Sequence, residues 1–397
     1  DSKAFKNCIS IQTILIPNSV QYINFGAFKR CYSLKNIEIS NQSKLQKIDF
    51  SVIASTNIKN FTIPSNVQCF NGYWLEDCSN FKKLFISPDN KNFLYIDKSF
   101  YVGKTFWCDD IKSIIFANRD IVEISIPSYI ESIMPYSFNH CENLKKIIFL
   151  EDSNIKRIEE NAFSYCSSLE QIIIPSSIEY IDGKAFYHCK NLKSVIFSKE
   201  SKITFLGKES FAMCESLETI EIPSGIKSIE KGTFYDCKSL KSITFSKDSK
   251  LKSFGIESFS MCESLKNIDI PSSVVKIEDR AFSNCISLET IAIPPSVKYI
   301  GAKSFFMCKK CKSININNNL IMKSIENEAF SQCLSIEKIV IPSSIEIIKE
   351  KAFIFCQQLK YVEFLTDSKM ISFESKSFSS TGIENLLIPV HLKEIGE

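Results

Sequence analysis

Apolar and polar positions along the chain follow one arrangement, repeated from Phe5 to Ile395. The unit reads I-x-x-[IVLF]-x-x-x-[AS]-F-x-x-C-x-x-L-x-x-I-x-[IF]. In one copy these positions are Ile178, Ile181, Ala185, Phe186, Cys189, Leu192, Val195 and Phe197. In the next they are Ile203, Leu206, Ser210, Phe211, Cys214, Leu217, Ile220 and Ile222. Aligned on the phenylalanine, copies fall at Phe28, then at Phe138, Phe163, Phe186, Phe211 and onward to Phe378, at spacings of 23 or 25 residues. Ile53 and Leu75 take the same slot earlier. The segment L-x-x-I-x-I is too short for a helix and rich in β-branched residues, so it predicts one strand per coil. The A-F-x-x-C segment predicts a tight turn, a 3₁₀ turn or a short helical segment on the opposite wall, with the ring inward.

A unit this short cannot bury its own apolar face and must stack on its neighbours. The fold class is therefore a repeat solenoid of about sixteen coils, with parallel strands about 4.8 Å apart on one face. Residues 1–397 are read as a single solenoid. Two versions of the unit largely alternate. The shorter opens with a proline corner, as in Ile174-Pro175-Ser176-Ser177, and proline ends a strand because it has no N–H. The longer uses a polar turn, as in Ser198 to Lys202, closed by side-chain hydrogen bonds. The register runs to both ends and the chain opens on Asp1, so further coils or domains of a parent protein are expected.

Composition adds exclusions. Hydrophobic residues make up 44% and charged residues 23%, which excludes a disordered chain. With 48 basic and 45 acidic residues, the net charge of +3 leaves no electrostatic footprint for nucleic acid. No apolar run approaches a membrane span, so no direct membrane insertion of this segment is expected.

The cysteines are the strongest chemical temptation. His140-Cys141 and His188-Cys189 could pair a base with a nucleophile or ligate a metal. Other copies place Met213, Asp236, Met261, Asn284, Gln332 and Phe355 in the histidine slot, so that slot imposes no chemistry. The cysteine slot itself is a column, holding Cys8, Cys31, Cys78, Cys141, Cys166, Cys189, Cys214, Cys237, Cys262, Cys285, Cys308, Cys333 and Cys356, with Thr56 and Thr381 in two coils. Neighbours in register have parallel Cβ vectors, which disfavours disulfides, so the column predicts buried thiols filling a narrow strip. Cys308-Lys-Lys-Cys311 has zinc-like spacing, but both positions face the core and no second pair accompanies it. Cys69 and Cys108 fall outside the column and are the candidate reactive thiols. Nucleotide-binding, zinc-protease and serine-hydrolase motifs are absent. No enzyme activity, cofactor or metal is expected.

The stretch IPSSIEYIDGKAFYHCKNLKSVIF at 174–197, with its copies, resembles the BspA-like leucine-rich repeat, a variety found in surface proteins of bacteria and protists. The resemblance covers nearly the whole chain, with cysteine where commoner leucine-rich repeats carry their asparagine ladder. It implies a solenoid that presents a sheet to partners. It also implies cell-surface adhesion to host, matrix or other cell proteins.

The repeat breaks between Cys78 and Cys141. Residues 87–121 are read as one enlarged, irregular coil carrying a β-hairpin built from Phe93–Val102 and Ile111–Phe116, either a structural variant of the repeat or a protruding contact loop with Phe106 and Trp107 exposed. Elsewhere, alternation sends the third and fifth positions of L-x-x-I-x-I outward. The third column is mostly polar, including Ser194, Thr219 and Asn267. The fifth contains Phe85 and Ile115, then Ile148, Ile173 and Ile196 on consecutive coils, followed by the acidic Glu221 and Asp269. An apolar stripe on a face that meets water marks an interaction site, although isoleucine also simply suits a strand. The expected function is a non-enzymatic protein–protein interaction module at the cell surface. The alternative is a cytoplasmic scaffold that binds another protein.

Overall fold

Stacking gives each coil two strands, where the pattern predicted one. The L-x-x-I-x-I segment forms a four-residue strand such as Ser194–Phe197, and I-x-x-[IVLF] closes with a two-residue strand such as Tyr180–Ile181. The protein is seen in a computed structural model that describes residues 2–70, 73–97, 99–105, 108–316 and 321–396. It is a parallel β-solenoid in two units, one of residues 1–169 with 177–189, the other of residues 170–176 with 190–397.

In the first unit the two-residue strands Tyr22–Ile23, Lys47–Ile48 and Cys69–Phe70 stack in parallel. Phe100–Thr105 and Cys108–Ala117 follow, then Ser132–Ile133, Arg157–Ile158 and Tyr180–Ile181. On the other wall Thr13–Ile16 pairs with Asn36–Ile39, Asn60–Ile63 with Lys83–Ile86, and Glu123–Ile126 with Lys146–Phe149. In the second unit one wall runs Gln171–Ile174, Ser194–Phe197, Thr219–Ile222, Ser242–Phe245 and Asn267–Ile268, and continues in Thr290–Ile293, Ser313–Ile316, Lys338–Ile341 and Tyr361–Phe364.

Proline controls how far these ladders close. Where a longer coil follows a shorter one, all four residues pair, as Gln171–Ile174 with Ser194–Phe197, and the next residue adds a bond from Ser198 N–H to the Ile174 carbonyl at 3.1 Å. Where the following coil has proline, pairing stops early. Ser194 faces Thr219 and Val195 faces Ile220, while Pro223 has no N–H to extend the ladder. The strand face therefore opens into a shallow hollow at that junction.

The third wall is a turn with no helix and no 3₁₀ segment among the described residues, which corrects those sequence-based alternatives. Two residues flank each core phenylalanine in the left-handed region, for instance Lys184 at φ 55° and His188 at φ 60°. Each such residue costs about 1–2 kcal/mol relative to a right-handed one. The conformation persists because it aims alternate N–H groups at the next coil. Asn161 donates to the Gly183 carbonyl at 3.0 Å, Phe163 to Ala185 at 2.7 Å and Tyr165 to Tyr187 at 2.8 Å. The phenylalanines stack face to face inside, with centroids 5.1–5.7 Å apart from Phe211 to Phe378.

The interruption is a three-stranded antiparallel meander. Phe93–Ile96 pairs with Phe100–Thr105, which pairs with Cys108–Ala117. Gly103 is required at its centre, because a Cβ there would lie 2.2 Å from the Phe93 ring. The register shifts between Ile114 and Phe116, and the outward placement expected of Ile115 is not found. Ile115 is 2% exposed and packs in the core with Phe93 and Phe116. The in-register neighbour of Ile148 on the preceding coil is Ser125. Ile115 follows Ser113 and Ile114, which pair with Ser132 and Ile133, so it lies on the two-residue-strand wall, where the outward alternation of the other wall does not apply.

Candidate protein-binding surface

The strand face of the second unit brings several of the expected residues together. Ile173 and Ile196 sit directly opposite each other on neighbouring strands and are 55% and 44% exposed. Ile196 also lines the hollow opened by Pro223, about 390 Å³ in volume, together with Glu221, Lys199, Thr219 and Ser224. Asp269 lines a second hollow of about 370 Å³, with Thr244 and Lys247, where Pro271 again follows a longer coil. Glu221 and Asp269 have no ion-pair partner among the described residues. Their neighbours on the same wall are paired across coils, such as Lys193 with Glu170 at 3.2 Å and Lys241 with Glu218 at 2.8 Å. Those pairs are exposed and worth at most about 1 kcal/mol each.

In the first unit Ile148 is half-buried and Phe85 is 48% exposed. Phe85 borders a cleft of about 740 Å³ that sequence reasoning missed. Tyr95 and Tyr101 stack within it at 4.4 Å between centroids, and Asn118 donates to the Tyr95 hydroxyl at 2.6 Å. Arg119 lies over the Phe116 ring at 4.6 Å and donates to the Ser137 carbonyl at 2.8 Å. Nothing in the repeat signals this cleft, because its residues come from the segment that lacks the repeat. Phe106 and Trp107, the expected contact tip, lie outside the described residues. So do the side chains of Cys69 and Cys108.

The histidine–cysteine pairs assemble no catalytic geometry. Cys189 donates its thiol to the Phe163 carbonyl on the preceding coil at 3.2 Å, and burial pushes its pKa up to about 12. His140 instead stacks on Tyr165 with centroids 4.5 Å apart, and His188 meets the same ring at a tilt, 4.9 Å away. Burial lowers the His140 pKa, and its Nδ1 lies 3.5 Å from Glu142. The same thiol-to-carbonyl bond recurs at Cys166, Cys237, Cys262, Cys285, Cys333 and Cys356, at 3.2–3.3 Å. Thr56 and Thr381 fill the slot by donating to carbonyls of their own coils. The thiols thus serve as a weakly polar strip that satisfies backbone carbonyls. Cys308 and Cys311 are buried and bond to the Phe282 and Ser313 carbonyls. No cluster of three metal-ligating side chains occurs among the described residues, nor is any helix there long and apolar enough to cross a membrane.

Stacked parallel coils with a variable outward column define a leucine-rich-repeat solenoid, a class whose members are typically protein-interaction modules. The chain belongs to the family described as BspA type leucine rich repeat region (6 copies), matched over residues 1–104, 109–241, 185–306, 227–360 and 275–397. Among solved structures it is similar to a leucine-rich repeat protein from Bacteroides ovatus, at 23% identity over 92% of this chain and 80% of that one, with a TM-score of 0.49. It is also similar to the pneumococcal vaccine antigen PcpA, at 17% identity, 96% and 91% coverage and a TM-score of 0.48. A third is a leucine rich cell surface protein from Faecalibacterium prausnitzii, at 19% identity, 76% and 94% coverage and a TM-score of 0.35. No curated protein matches the chain.

Proposed function

We propose that the chain is a non-enzymatic recognition module of a microbial cell surface, binding a host, matrix or other cell-surface protein through its strand face. The observation that carries this reading is the in-register pair Ile173 and Ile196, exposed beside a hollow that holds the unpaired carboxylate of Glu221. Two adjacent exposed isoleucines offer a dry contact centre, and the carboxylates of Glu221 and Asp269 would steer a basic rim of the partner. The adhesive role draws on the family, whose repeats this chain carries throughout.

A second reading, a cytoplasmic scaffold, is favoured by one observation: all fourteen described cysteines are free thiols, and free thiols persist most readily in a reducing compartment. The test is a panel of immobilised matrix, cell-surface and cytosolic proteins probed with the wild-type chain and with an Ile173→Thr, Ile196→Thr double variant. Binding to a surface or matrix protein that falls at least tenfold in the variant supports the proposal. Binding confined to cytosolic proteins supports the scaffold, and unchanged binding by a folded variant refutes the strand-face contact.

A further inference from the structure

The first unit lacks one rung on one of its walls. On the two-residue-strand wall, Phe100–Thr105 lies between Cys69–Phe70 and Cys108–Ala117, so those coils stand two rung steps apart, about 9.6 Å. On the opposite wall the same coils continue as Lys83–Ile86 and Glu123–Ile126, and among the described residues no strand lies between them. Lys83–Ile86 pairs backward with Asn60–Ile63 and, among the described residues, with no strand ahead of it. Because hydrogen-bonding groups alternate between strand edges, Leu84 and Ile86 turn theirs toward the gap.

We propose that this gap receives an extended segment of a partner protein as the missing parallel strand, with apolar residues alternating with glutamate or aspartate. The cleft of about 740 Å³ has the volume of a short peptide and is lined by Phe81, Phe85, Tyr95 and Tyr101. Alternate apolar side chains of the segment pack onto these rings. Charge selects the outward residues. In the intact wall Glu123 lies 3.4 Å from Lys146, its in-register neighbour on the next coil. Lys83 holds the corresponding place at the gap and has no ion-pair partner among the described residues. An acidic residue on the inserted strand supplies it. This inference is independent of the Ile173–Ile196 contact.

The chain's own rung provides the probe: a synthetic peptide with the sequence of residues 120–127, DIVEISIP, whose glutamate falls in the slot opposite Lys83, added to the full chain. We expect saturable binding with hydrogen-exchange protection of the Leu84, Ile86 and Val122 amides, and at least tenfold weaker binding after Lys83→Glu. A peptide with that glutamate replaced by lysine recovers binding to Lys83→Glu, which separates charge recognition from damage to the fold. Should that variant fail to fold, Lys83→Gln is expected to weaken the parent peptide alone. No binding, binding without protection of those amides, or indifference to Lys83 overturns the proposal. Self-association of the chain that protects the same amides also overturns it, by assigning the gap to a second copy.

Discussion

Phe282→Ala would test how the core column holds the coils together. The Phe282 ring is fully buried between Phe259 and Phe305, each 5.4 Å away, and meets Phe254 edge-on at 5.2 Å. Truncation removes roughly 100 Å³ of side chain, and at about 24 cal/mol per Å³ an unrelaxed cavity alone costs ~2.4 kcal/mol. Lost transfer energy and ring contacts bring the total to about 3–5 kcal/mol. In a stacked array each coil touches only its neighbours, so the damage should stay local. Hydrogen exchange reads this directly. The Phe259 N–H to Ala281 and Phe282 N–H to Ser304 bonds, both 2.8 Å, should open about 10²–10⁴ times more often. Amides of the coils around Asn36–Ile39, in the other unit, should keep their protection. A change under tenfold near Phe282, or an equal change throughout the chain, would show that the ring column does not hold the coils together locally.

Other consequences follow from the same physics. Burial raises the thiol pKa values, so a maleimide at neutral pH should modify Cys8, the half-buried member of the described cysteines, well before Cys189 or Cys285, as peptide mass mapping would show. Burial first, and the neighbouring Asp182 carboxylate second, raise the Glu159 pKa to about 7. A raised acid pKa stabilises the fold at low pH and loses that contribution as pH climbs from about 4.5 through 7. Glu159→Gln should therefore stabilise the protein at pH 8, by on the order of 1–3 kcal/mol, and change little at pH 4, in urea titrations at the two pH values. Gly255→Ala should destabilise by about 2 kcal/mol or more in urea titration, since its Cβ would lie 2.7 Å from the Ile229 carbonyl oxygen.

Much of the architecture was readable because the repeat fixes phase. Phe186, Cys189 and Leu192 all face the core as their slots require. The two-residue strands were not readable, since two residues carry no periodicity. Neither were the left-handed turn positions, which hold Lys184, His188, Glu209 and Met213 where glycine would be the usual signal. The outward placement of Ile173, Ile196, Glu221 and Asp269 follows from alternation within a paired strand. Ile115 escapes the rule because the long strand Cys108–Ala117 lies on the two-residue-strand wall, and Ser125 takes the outward slot instead. The hollows have a legible cause in Pro223 and Pro271, which cannot continue a ladder. The cleft beside Phe85 depends on pairing across the interruption, which no local pattern encodes.

A protein partner is expected to bind the strand face and not the wall that carries the cysteine column. Hydrogen–deuterium exchange of the whole chain, with and without a protein captured from the surface and matrix panel, tests it most directly. New protection is expected at Gln171–Ile174, Ser194–Phe197 and Thr219–Ile222. Protection confined to the turn wall around His140, Tyr165 and His188, with the strands unchanged, would contradict it.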